Sequence, residues 1–171
     1  MKKFCWGTLI TLSSVFALAA GVQGQTGFGF NSPNIAGFPT GAVELTGGGA
    51  FNPANAFIHS GGGFRCTASV QQGPLNGCLA GQGIRWDTVA LLPSVQFKCT
   101  GAVSEPLQTA TTGANTVVLV ADFYRQGDGN EESFTAKMIV SDADLPGNPG
   151  VNVWIQGVGC GSAIVNFSPS R

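Results

Sequence analysis

The chain has 171 residues, 10% of them charged, with eight basic against nine acidic residues and one histidine. That balance provides no clustered Lys and Arg for a nucleic-acid backbone or an anionic membrane. A single histidine also falls short of the two or three imidazoles of most zinc hydrolase sites.

Met1-Lys2-Lys3 is a short basic start, and an apolar stretch runs from Phe4 to Ala20 before the small residues leading to Gly24. Basic, apolar and small segments in that order are the plan of a secretory signal peptide. The reading is a signal helix over 1–24, cleaved after Gly24, with Ala20 as the alternative cut. Gly7, Thr8, Thr11, Ser13 and Ser14 dilute the run, and no basic cluster follows it, so no stable membrane span is expected after cleavage. The product, residues 25–171, is of single-domain size. It is expected to be secreted, or held in the periplasm or cell envelope.

Residues 25–41 are rich in Gly, Pro and Asn and read as a flexible or strapped-down arm, with Phe28, Phe30 and Phe38 docked on the domain. From Ala42 the apolar pattern has period two. The predicted strands include Phe57 to Val70, Ile84 to Leu92, Val95 to Cys99, Asn115 to Tyr124, Phe134 to Val140, Val151 to Ile155 and Ala163 to Phe167. Beyond the signal segment no stretch sustains helical spacing. Short strands punctuated by Gly and Pro indicate one all-β domain over 42–171, an antiparallel sandwich or a barrel-like sheet with Gly-rich bulged strands.

Thr46-Gly47-Gly48-Gly49 is echoed by Ser60-Gly61-Gly62-Gly63. A hairpin turning at Asn52-Pro53-Ala54-Asn55 would set Gly48 near His59 and Gly62 near Leu45, so that each glycine tract faces residues bearing side chains. The expected result is a curved barrel corner. Phe64-Arg65-Cys66-Thr67-Ala68 against Phe97-Lys98-Cys99-Thr100-Gly101 is a second, weaker echo.

Cys5 falls in the signal segment, leaving Cys66, Cys78, Cys99 and Cys160. An even number in an exported domain reads as two disulfides; the spacings contain no zinc knuckle. The expected pairs are Cys66–Cys78, closed over a Gln-Gln-Gly-Pro turn, and Cys99–Cys160. The rival pairing joins Cys66 to Cys99.

No catalytic residue is assigned. His59 would have to serve any Ser-His-Asp or Cys-His site, and it reads instead as a strand residue beside a glycine tract. Carboxylate-based hydrolysis has Asp122 and Glu132, flanking one predicted hairpin, as its nearest candidate pair. Asp128, Asn130 and Glu132 alternate as in the opening of a calcium loop. The loop's glycine and closing glutamate are missing, and a plain hairpin turn is preferred. Asp142 and Asp144 would join such a site only if the fold returned them to it. Phe64, Trp86, Phe97, Phe123 and Trp154 are the residues that would line a cavity for a small apolar ligand, against the simpler reading that they fill the core. No cofactor is expected and the partner is unknown. The functional expectation is a non-catalytic exported β domain with a binding or structural role. A carrier barrel and a small carboxylate hydrolase are the alternatives.

Overall fold

The computed structural model describes residues 24–125 and 132–169. The signal segment, apart from Gly24, and the tip residues Asp128 and Asn130 lie outside them. Eleven strands follow in chain order: β1 (Thr26–Gly37), β2 (Ala42–Asn52), β3 (Phe57–Ala68), β4 (Arg85–Leu91), β5 (Ser94–Phe97), β6 (Gln108–Thr111), β7 (Thr116–Tyr124), β8 (Ser133–Ser141), β9 (Val153–Ile155), β10 (Gly159–Gly161) and β11 (Ile164–Pro169).

All but β5 and β6 form one antiparallel sheet in the order β10-β9-β8-β7-β4-β3-β2-β1-β11, and β10 also pairs with β1. The sheet therefore closes on itself as an up-and-down barrel. β1 completes the ring with two partners. Thr26 to Asn31 lie beside β11, and Ala36 and Gly37 beside β10. A pairing irregularity between Ser32 and Ile35 separates the two halves. The buried Ser32 hydroxyl spans the break between β10 and β11 by donating to the Ser162 carbonyl (2.9 Å).

Residues 25–41 are thus not a flexible arm. Phe28, Phe30 and Ile35 alternate into the barrel and are buried there. The next inward position is the buried, polar Ser32, and the pairing irregularity follows it, so the period-two pattern stops in the sequence after Phe30. Phe28 stacks on Phe167 and meets Phe51 edge-on, with centroids 5.9 Å apart in both cases.

A barrel of this strand number has an interior that side chains just fill. Inward positions here alternate large and small. Phe30 lies opposite Gly47, and Gly62 opposite Trp86, so the indole occupies space that side chains on β2 and β3 would take. The glycine tracts therefore face each other, Gly48 opposite Gly61 and Ala50 opposite His59. The sequence-based register was displaced by two residues. The turn is a 3-10 segment, Pro53–Asn55, followed by Ala56 in the left-handed region (φ 55°). It pairs Asn52 with Phe57 rather than with Asn55.

One end of the barrel is plugged by the β3–β4 connection, where Val70, Leu75 and Cys78 are buried in the main core. The Cys66–Cys78 disulfide (Cα–Cα 6.3 Å) closes this plug. The Gln72 amide pins it by donating to the carbonyls of Thr40 (2.6 Å) and Gly157 (2.8 Å).

A second core lies outside the barrel wall. β5 and β6 form a hairpin whose Val95, Phe97 and Ala110 cluster with the outward-facing Val118, Ile139 and Trp154. The Val117-Val118-Leu119 run is apolar throughout because β7 is buried on both faces. Cys99–Cys160 (Cα–Cα 4.9 Å) fastens the chain after β5 to β10. Both disulfides match the expected pairing and fit an oxidising environment. The Phe-basic-Cys-Thr echo does not mark neighbouring strands, since Phe64 lies in the barrel core and Phe97 in the outer one.

Candidate functional site

The five aromatic lining candidates divide between the two cores. Phe64 and Phe123 meet edge-to-face at 5.0 Å. Trp86 is fully buried, 6.1 Å from the Phe30 ring, and its indole Nε1 donates to the Thr46 carbonyl (2.9 Å). Phe97 and Trp154 pack on each other at 5.8 Å outside the barrel, and Trp154 Nε1 donates to the Lys98 carbonyl (2.8 Å). In every case the ring surface or the polar tip is occupied by the protein itself.

Five of the seven described carboxylates are engaged, and they are dispersed over the fold. Glu44 pairs with Arg65 (3.4 Å) and Asp87 with Arg85 (2.8 Å), all partly or fully exposed to water. Asp122 lies opposite Thr135 and accepts its hydroxyl (2.5 Å). Glu132 pairs with Arg125, so Asp122 and Glu132 do not converge as the hairpin reading allowed. Asp142 and Asp144 follow β8 at the opposite end from Glu132, which precedes it, and so cannot complete a calcium site at the tip. Among the described residues no group of three or more His, Cys, Asp or Glu is placed to hold a metal ion. His59 is an exposed outer-face residue of β3.

Glu105 is the carboxylate with the most elaborate setting. It accepts from the backbone N–H of Cys99 (2.6 Å), Thr100 (2.8 Å) and Gly101 (3.0 Å), and from the Thr100 hydroxyl (2.5 Å). Partial burial pushes its pKa up, but these donors together outweigh that effect and hold it below the ordinary carboxylate value. Successive N–H groups of this kind form an anion-binding nest. Here the chain fills it with its own side chain and so fixes the segment after Phe97.

That fixed segment forms one wall of a groove of about 400 Å³, between the β5–β6 hairpin, the barrel plug and the outer face of β8 and β9. The buried rings of Phe97 and Trp154 contribute to its floor, and Phe38 and the half-exposed Leu107 extend its apolar surface. Gln96, Lys98, Lys137 and Gln156 supply its polar groups. Lys98 Nζ is steadied by the carbonyls of Ala102 (2.8 Å) and Val103 (3.4 Å). The Lys137 backbone N–H donates to Gln156 Oε1 (3.2 Å), which fixes that amide beside the lysine. The groove was not legible in the sequence, because its residues come from five separated segments. The nearest signal was the basic residue after Phe97.

Among the described residues no helix is long and apolar enough to cross a membrane. Comparison of the chain with protein-family models, curated proteins and solved structures finds no match.

Proposed function

We propose that the chain is an exported, non-catalytic β domain that acts at the cell exterior or envelope as a rigid binding or structural module. The observation that carries this reading is the occupied state of its chemistry. The barrel core is filled by its own aromatics, Glu44, Asp87, Glu105, Asp122 and Glu132 are each tied to a partner in the fold, and the four described cysteines are paired. Rigidity is the property such a build supplies, through a ring closed by the pairing of β10 with β1 and two covalent ties at the plug and the outer hairpin.

Fractionation of cells producing the full chain tests the proposal. The expected product lies outside the cytoplasm, begins at Gln25 and has no free thiol. Recovery from the cytoplasm with residues 1–24 retained and the thiols reduced overturns it.

A further inference from the structure

We infer that the groove beside Lys98 and Lys137 is a binding site for a small organic carboxylate with an apolar body. The inference rests on the binding reading above and names its ligand class.

The charge pattern points to an anion. Arg65, Arg85 and Arg125 each face a carboxylate, namely Glu44, Asp87 and Glu132. The two described lysines do not: among the described residues neither ammonium pairs with an acid, and both line this one groove. Among the described residues no acidic side chain lines it. Glu105, close to Lys98 in sequence, is turned to the N–H groups of residues 99–101. An ammonium has three donors. Two of those on Lys98 are directed to Ala102 and Val103, which aims the head and leaves one donor over. Lys137 Nζ has no hydrogen-bond partner among the described residues.

The remaining surface sets the body of the ligand. At about 400 Å³ the groove falls within the range of small-molecule sites. Phe38, Leu107 and the rings of Phe97 and Trp154 offer apolar contact, while the Gln96 and Gln156 amides can donate to a carboxylate. A fully hydrophilic anion would leave that apolar surface uncovered. A neutral apolar molecule would leave the lysines without a partner.

The test compares 2-naphthoate with neutral 2-naphthamide, which share one aromatic body, by titration into the disulfide-intact protein followed by NMR. Saturable shifts at the Trp154 indole and the Gln96 and Gln156 amides are expected with naphthoate, with naphthamide weaker by about tenfold. The Lys98→Gln/Lys137→Gln variant is expected to bring naphthoate down to the naphthamide level. Lys98→Arg/Lys137→Arg retains the charge and is expected to bind. An unchanged thermal midpoint in each variant separates lost binding from lost fold. Equal binding of the two probes overturns the anionic class and leaves a binding groove. Absence of saturable shifts with either probe overturns the groove as a site altogether, and this second failure reaches the binding reading itself.

Discussion

A methyl group placed on Gly47 would lie 2.6 Å from Cζ2 of Trp86 and 2.5 Å from the Gly61 carbonyl oxygen. The glycine is the space into which the indole fits, and the Trp86–Thr46 hydrogen bond fixes the indole's orientation there. Gly47→Ala is therefore an overpacking change in a filled barrel, expected to cost about 1–3 kcal/mol. Trp86→Phe keeps much of the apolar volume but leaves the Thr46 carbonyl without its donor, a loss of about 1–3 kcal/mol. Urea unfolding monitored by far-UV circular dichroism checks both. A neutral Gly47→Ala would show that the indole is not tightly seated.

Removal of β1 is expected to abolish cooperative folding. A chain beginning at Gly41 lacks Phe28, Phe30 and Ile35, and it leaves β2, β10 and β11 without the strand that joins them. Each buried large apolar side chain contributes about 1.5–3 kcal/mol, so these three together rival the stability of a whole small domain, about 5–15 kcal/mol. A calorimetric scan of the truncated chain is expected to show no unfolding peak. Retention of a sharp transition would mean that the barrel closes without β1.

The two disulfides are expected to contribute unequally. Cys66 and Cys78 are 12 residues apart and Cys99 and Cys160 are 61 apart. In the loop-entropy description these separations correspond to about 3 and about 4 kcal/mol. Paired Cys→Ser variants, compared by denaturant midpoint, measure the difference. The short bridge should also govern access to the barrel end. Losing it is expected to raise hydrogen exchange at Val70 and Gly77, whose N–H groups bond within the plug (2.9 Å each).

Glu105 gives stability a pH dependence of known sign. Its pKa is lower folded than unfolded, so its contribution is present above the unfolded carboxylate pKa and disappears as pH falls through the lower folded value. Glu105→Gln is accordingly expected to be less stable than the parent at neutral pH, with the gap narrowing in acid. Thermal midpoints of both proteins between neutral pH and the acid range check this. A gap independent of pH would assign the effect to hydrogen bonding alone.

Strand positions were legible where one face of the sheet met water and the other met the core, as at Val43 and Leu45, which are buried on either side of Glu44. The inner and outer cores were not. Val118, Ile139 and Trp154 look like further core residues of their strands, and only the hairpin lying over them shows that they belong to a separate cluster. The local disulfide was legible because a turn-forming loop brings its ends together. β1 was missed because the polar Ser32 occupies an inward position and the irregularity after it breaks the period. In the β2–β3 hairpin the turn chemistry was recognised, but a left-handed Ala56 cannot be foreseen from propensity, since alanine disfavours that conformation. The register moved with it.

Closure of the ring has a consequence for the order of events during folding. Phe30 pairs with Val165 and Asn31 with Ile164, and the Ser32–Ser162 hydrogen bond joins residues 130 apart. The first barrel strand to be synthesised thus acquires its second neighbour only when the last strands arrive. Contacts of such long range slow folding, because the entropy of closing the loop is lost before the pairing compensates for it. Until then β1 presents an open backbone edge to other chains. Its exposure to intermolecular strand pairing ends when β10 and β11 take their places.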